Sequence, residues 1–205
     1  TRDASHELRT PLTVIRMASD MALNEDSTPR VSRALQRIQR AGRDMEAVID
    51  AFLILAREAE VEPQSEEFDL ADLVEYEAEN ARPLLLGKPV ELEVDLQGRP
   101  RLLAPPRVMH VLVGNLLRNA CSYPDHGRIE VIVEADCVRV RDTGIGMSAE
   151  SQQRAFEPFF RADESRPHGT GLGLSIVSRL CERFGWKVEL ESELGQGTTA
   201  TIRFA

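Results

Sequence analysis

From Val31 onward, apolar residues recur at a spacing that leaves few choices of fold. Val31, Ile38, Met45 and Phe52 repeat every seven residues, and Leu35, Gly42, Ile49 and Ala56 make a parallel row four positions later. That repeat is the seam of a coiled coil, so the stretch predicts one long helix with a narrow apolar edge. Ahead of it, Leu8, Leu12, Ile15 and Ala22 mark a shorter amphipathic helix. Asn24-Glu25-Asp26-Ser27-Thr28-Pro29 reads as the turn between them, with Ser27 or Thr28 placed to cap the second helix. A hairpin of two such helices has too little interior to stand alone. Its apolar edges are expected to pair with a second copy in a four-helix bundle, the alternative being an arm packed on the chain's own globular domain.

The pattern stops at Glu62-Pro63-Gln64-Ser65-Glu66, which is polar and carries a proline, and residues 62–67 are read as a linker between domains at 1–61 and 68–205. Glu58 to Glu79 holds ten carboxylates and no Lys or Arg, the mark of a solvated surface around that junction. A net charge of −9 excludes nucleic acid as the expected partner, because a polyanion needs a basic face. The three cysteines are odd in number and widely spaced, so neither a disulfide framework nor a zinc site is suggested. No apolar run approaches the roughly 20 residues of a membrane span, and no signal peptide precedes the first helix. The chain opens almost on its first helix, which is read as a fragment lacking an upstream part.

Past the linker, helices and strands alternate. Phe68-Asp69-Leu70 opens a predicted helix running to about Leu86, where Gly87 and Pro89 end it. Val90 to Val94 alternates with period two, and a short strand is expected over Arg101 to Leu103. Pro105-Pro106 starts a helix whose apolar row is Val108, Leu112, Leu116 and Ala120, with Val111, Asn115 and Asn119 beside it. Two carboxamides next to a core-facing stripe need partners, since an unsatisfied buried amide costs on the order of 1–3 kcal/mol; a solvated edge would also satisfy them. Ile129–Val133 and Val138–Arg141 form a predicted hairpin through Ala135-Asp136. Trp186–Leu190 and Thr198–Phe204 are the last strands, joined by a turn at Gly195-Gln196-Gly197.

The residues that carry chemistry fall between these elements. Ser5-His6-Glu7-Leu8-Arg9-Thr10-Pro11-Leu12 sets a nucleophilic imidazole beside a carboxylate on a helix. His6 and Thr10, four apart, share a face, and Glu7 flanks the histidine; a surface histidine with a charged neighbour is the plainer reading. Asp142 ends a strand and is followed by Thr143-Gly144-Ile145-Gly146, a carboxylate where a ligand can approach the backbone closely. Aspartic proteases also use Asp-Thr-Gly, but as two facing copies in an all-β setting, and here there is one copy among helices. Residues 147–168 show no clear period but hold Phe156, Phe159 and Phe160, which suit a loop pinned to the core. Gly169-Thr170-Gly171-Leu172-Gly173-Leu174 then leads into a helix with Leu172, Ile176, Leu180 and Phe184 on one face. Backbone N–H groups and the positive end of a helix dipole at such a place suit a polyphosphate.

His6-Glu-Leu-Arg-Thr-Pro-Leu resembles the phospho-acceptor box of sensor histidine kinases. The ordered set Asn115-Leu-Leu-Arg-Asn119-Ala, Asp142-Thr-Gly144-Ile-Gly146, Phe156-Glu-Pro-Phe159-Phe160 and Gly169-Thr-Gly171-Leu-Gly173-Leu resembles the ATP-binding domain of the same family. The resemblance covers nearly the whole chain and implies an α+β protein. Its parts would be an N-terminal antiparallel helical hairpin forming a dimeric four-helix bundle, then an α/β sandwich of the histidine kinase, Hsp90 and gyrase ATPase type. By that similarity His6 is the phosphorylated residue, Glu7 accepts or orients its proton, and Thr10 helps position water for dephosphorylating the partner. Asn119 would hold Mg²⁺ with Asn115 nearby, and Asp142 would accept the adenine amino group. Gly144, Gly146, Phe156, Phe159, Gly169, Thr170, Gly171, Leu172 and Gly173 would complete the ATP site, with 147–168 as a lid.

The activity that the resemblance implies is autophosphorylation from Mg-ATP and transfer to an aspartate on a response regulator receiver domain, with a phosphatase activity as a further expectation. The implied setting is the cytoplasmic segment of a bacterial inner-membrane sensor, any membrane anchor lying upstream. Three positions depart from the family's pattern: Ser122 replaces a common cation, His168 a glycine and Ala200 an aromatic, with Arg118, Arg161 or Arg166 available as substitute charges. They leave room for a kinase-like regulator that dimerises and binds nucleotide or partner kinases without transfer. A gyrase-like conformational ATPase would keep the nucleotide site but leave the His6 box without a purpose.

Overall fold

The structure is a computed structural model and describes residues 64–124, 126–162 and 171–204, together with Ile15, Met17, Val31, Leu35, Ile38 and Gly42. These six are helical. Val31, Ile38 and Gly42 are half-buried, whereas Leu35 is 51% exposed. The chain divides into two compact units, Thr1–Val61 and Glu62–Ala205.

The second unit begins with β1 (Glu66–Asp69), so Glu66 and Glu67, read above as linker, belong to a strand. The helix expected from Phe68 starts instead at Leu70, because Asp69 is its cap: its Oδ1 accepts the Ala71 N–H at 2.8 Å. This helix, α1 (Leu70–Ala81), stops one turn before the predicted end. Pro83 cannot donate to the helix ladder, and the chain continues as a single 3₁₀ turn over Arg82–Leu85. Some of the carboxylates read as merely solvated have partners, since Arg99 bridges Asp69 and Asp72, and Arg101 reaches Glu67 at 3.0 Å.

There follow β2 (Val90–Leu96), β3 (Arg101–Ala104), α2 (Pro106–Ser122), β4 (Gly127–Val133) and β5 (Cys137–Asp142). A six-residue helix α3 (Ala149–Arg154) lies in the segment expected to be a lid, too short to show a helical period; Ser148 caps it by accepting the Ser151 N–H. The unit closes with α4 (Gly173–Arg183), β6 (Lys187–Glu193) and β7 (Gly197–Arg203).

β1 pairs with β3 in a small antiparallel ribbon, and the other five strands make one sheet in the order β2-β4-β5-β7-β6. Only β2 and β4 run parallel, which requires the crossover through β3 and α2. Alternation divides the sheet's faces. Ile129, Val131, Val133, Val138, Val140 and Ile202 are buried on one face, while Arg128, Glu130, Arg139 and Arg141 lie on the other. α2 packs against α1 on one side and α4 on the other. The row Val108, Leu112, Leu116 and Ala120 is buried as its spacing predicts. The result is a two-layer α/β sandwich.

Two details matter later. Arg82 Nη1 donates to the Leu92 carbonyl at 3.1 Å, on the strand at the sheet's edge. Trp186 stacks on Phe184 with centroids 5.3 Å apart and meets Phe204 edge-on at 5.6 Å. Cys121, Cys137 and Cys181 are free and buried, and desolvation pushes the Cys121 thiol up to about 11 and that of Cys181 to about 12.

Candidate nucleotide site

α2 supplies the first two polar groups. Asn115 is 4% exposed, and its Nδ2 donates to the Val111 carbonyl at 2.8 Å, which fixes the carboxamide and frees its oxygen. That oxygen and Oδ1 of Asn119 both point at the first residue of α4: a β-carbon on Gly173 would sit 3.3 Å from each. Two hard carboxamide oxygens therefore converge on a helix N-terminus whose N-cap residue, Leu172, supplies no side-chain cap of its own. The chemistry of this donor set suits an oxygen-seeking divalent cation held together with phosphate.

The C-terminal end of α2 leads to the second cluster. Asp142, 7% exposed at the end of β5, accepts the Gly144 N–H at 2.8 Å. Burial raises its carboxyl to about 6, opposed by backbone N–H groups of Gly144 and Thr198. Gly144 packs against Tyr123 and Pro124, where a β-carbon would approach Tyr123 Cβ and Pro124 N to 3.2 Å. Gly146, at φ +63°, lies directly on the turn after β6, and a β-carbon there would come within 1.9 Å of the Glu193 carbonyl oxygen. Asn115, Asn119 and Gly173 thus meet at one place, and Asp142 and Gly144 meet beside the end of the same helix.

The aromatic segment is tied to the glycine-rich stretch. Phe159 adopts φ +66°, rare for a side chain of its size, and its N–H donates to the Gly171 carbonyl at 2.9 Å. Gly171 has no room for a β-carbon against the Phe159 backbone. Phe159 stays 40% exposed; Phe156 and Phe160 are half-buried, with Arg154 4.5 Å above the Phe160 ring. Leu172 is half-buried, and its carbonyl accepts from Ser175 Oγ at 2.8 Å. His6, Glu7, Thr10, Gly169 and Thr170 lie outside the described residues, as do Arg166 and His168. Ser122 turns its hydroxyl back to the Arg118 carbonyl at 2.6 Å.

Sequence reasoning missed Tyr123, Ser192 and Thr198, all of which contribute to this region. The turn after β6 was legible only as a turn, although Gly195 N–H reaches the Ile145 carbonyl at 2.7 Å and so ties that hairpin to the loop after Asp142. Among the described residues one other cluster offers ligand atoms to a metal, Glu134, Asp136 and Cys137, but Arg139 and Arg203 already pair with its carboxylates.

Known proteins match this chain in both units. The His Kinase A (phospho-acceptor) domain matches residues 1–60, and the histidine kinase-, DNA gyrase B- and HSP90-like ATPase family matches residues 104–205. The phosphate regulon sensor protein PhoR of Pseudomonas aeruginosa is 35% identical across 99% of the chain and 48% of its own length. The sensor histidine kinase RppB of Synechocystis is 31% identical, with the same coverage. The chain therefore spans about half the length of these curated relatives. Among solved structures, full-length ShkA in complex with AMPPNP superposes with a TM-score of 0.70 at 29% identity, covering 98% of this chain and 45% of that one. Acinetobacter baumannii AdeS shares the fold at a TM-score of 0.71 and 20% identity, covering 98% and 97%. With a phospho-acceptor domain followed by an ATPase domain of this type, the chain belongs to the sensor histidine kinases.

Proposed function

We propose that the chain is a kinase core that phosphorylates its own His6 from Mg-ATP and passes the phosphoryl group to an aspartate of a response regulator receiver domain. The observation that carries this reading is the convergence of the Asn115 and Asn119 oxygens, on the helix whose end adjoins Asp142, on Gly173 at the start of α4. Asn119, with Asn115 nearby, would hold Mg²⁺. Asp142, ionised above about pH 6, accepts from the adenine amino group. When bound, Mg-ATP supplies the transferable γ-phosphoryl group. His6 attacks with its neutral imidazole, Glu7 takes or orients the imidazole proton, and ADP leaves. Thr10, one turn from His6, would position water for a phosphatase reaction on the regulator.

The hairpin over residues 1–61 is the phospho-acceptor part and residues 68–205 the nucleotide part, a division supported by the two compact units, with β1 going to the second. Dimerisation through the hairpin is supported by Leu35, a seam position that is 51% exposed in the single chain.

The test is incubation with Mg²⁺ and γ-labelled ATP. Label that survives alkali, is lost in acid and disappears in His6→Gln supports the reading; label persisting in His6→Gln refutes it. A second reading, nucleotide binding without transfer, draws on Ser122: its hydroxyl is spent on its own helix and brings no cation to the phosphates. ATP binding with no phosphoprotein would favour it.

A further inference from the structure

One transverse row crosses the whole five-stranded sheet on its helix-covered face: Leu92, Ile129, Asp142, Thr198 and Ser192, each paired with the next. The row is apolar at the β2 side and polar at the β6 side. Ser192, at its end, makes three contacts of 2.9 Å: with the Met147 N–H, the Gly197 carbonyl and the Thr198 hydroxyl. A serine hydroxyl has one proton to give and two lone pairs to accept with. The Gly197 carbonyl can only accept, so it takes the Ser192 proton. The Met147 N–H can only donate, so it takes one lone pair. The remaining lone pair receives the proton of the Thr198 hydroxyl. Every hydrogen-bonding capacity of Ser192 is then used, and the direction of the Thr198 hydroxyl is determined.

The consequence falls on Asp142, the register partner of Thr198 on the other side. With its proton committed to Ser192, Thr198 Oγ1 has only lone pairs left to offer. An ionised carboxylate likewise has only acceptors. Whatever binds beside Asp142 and Thr198 therefore meets an acceptor-only edge.

We propose that Ser192 is a positioning residue for base selection: by orienting the Thr198 hydroxyl it makes the edge formed with Asp142 accept only, favouring a purine with an amino group at C6 and opposing one with a carbonyl at C6. This rests on the nucleotide reading above and extends it. In Ser192→Ala the Thr198 hydroxyl is released to donate, and a keto purine gains a partner that the wild-type site withholds. A hydrogen bond reversed in sense changes relative affinity by about tenfold.

The experiment is calorimetric titration of the full chain with Mg-ATP and with Mg-GTP, for the wild type, Ser192→Ala, Ser192→Thr and Thr198→Val, with thermal melts of each. The expected result is an ATP-over-GTP ratio that falls about tenfold in Ser192→Ala and in Thr198→Val, and is restored in Ser192→Thr. A merely structural serine would weaken both nucleotides together and leave the ratio alone. An unchanged ratio in folded Ser192→Ala overturns the inference; if that variant does not fold, an unchanged ratio in Thr198→Val does so. Wild-type protein that binds neither nucleotide defeats the nucleotide reading itself, which separates the two failures.

Discussion

Arg82 reaches the backbone carbonyl of Leu92, placing a guanidinium on the free edge of the five-stranded sheet. Among the described residues β2 has a neighbour on one side only, and such a strand offers unpaired backbone groups to another chain. Arg82 Nε also bonds Glu79 Oε1 at 2.8 Å, which holds the cation in place. Arg82→Ala is expected to lower stability by less than about 1 kcal/mol, because the side chain is half exposed. It should instead raise self-association, with Leu86 exposed close by. Sedimentation velocity across a concentration series checks this, and a profile identical to wild type counts against it.

Burial disfavours the charge of the Asp142 carboxyl and pushes it up from the ordinary 3.8 to about 6. The folded state thus holds this proton more tightly than the unfolded state. The stability it contributes is complete below about pH 4 and is lost as pH rises through about 6. Asp142→Asn should therefore make the nucleotide-free protein more stable at pH 7, by about 1–2 kcal/mol, with the gain shrinking toward pH 4. Denaturant titrations at the two pH values measure it. Wild-type affinity for ATP should move the other way, falling from pH 7 to pH 5 as the acceptor is protonated.

Gly146 and Gly195 separate close approach from backbone freedom. Both have positive φ, but a β-carbon on Gly195 meets nothing within 4 Å, whereas one on Gly146 would overlap the Glu193 carbonyl. Gly195→Ala should cost about 1 kcal/mol, the conformational penalty alone. Gly146→Ala should cost about 3 kcal/mol or more, since the loop after Asp142 must lift from the β6–β7 hairpin. Equal urea midpoints for the two variants would contradict this.

Gly173→Ala is expected to uncouple binding from folding. A helix start favours alanine over glycine by up to about 1 kcal/mol, so the melting temperature should hold or rise. The added carbon lies 3.3 Å from both asparagine oxygens, in the space assigned to cation and phosphate. Affinity for Mg-ATP should drop about tenfold or more, a loss of about 1.4 kcal/mol or more, measurable by titration.

Local pattern carried much of this fold, and non-local pairing hid the rest. The buried row on α2 and the hairpin of β4 and β5 follow from periodicity and a short turn, both readable within a few residues. β1 escaped because four residues rich in glutamate do not alternate; its pairing with β3 across more than thirty positions is what makes it a strand. The start of α1 shifted by two residues because Asp69 caps rather than joins the helix. At the site, Asn115, Asn119, Asp142 and Gly173 stood out by residue type and spacing. Ser192 did not, since its meaning comes from lying two strands away from Asp142 in register, a relation that no window of sequence contains.

The stack of Phe184, Trp186 and Phe204 has an optical consequence. Trp186 is the chain's single tryptophan, and it stands at the opposite end of β6 from Ser192, about 20 Å away at strand rise. Near-ultraviolet emission excited at the indole therefore comes from one reporter, seated where α4 hands over to the sheet and remote from Ser192. Its quenching tracks the docking of that helix, so unfolding can be followed in saturating nucleotide without the ligand itself colouring the signal.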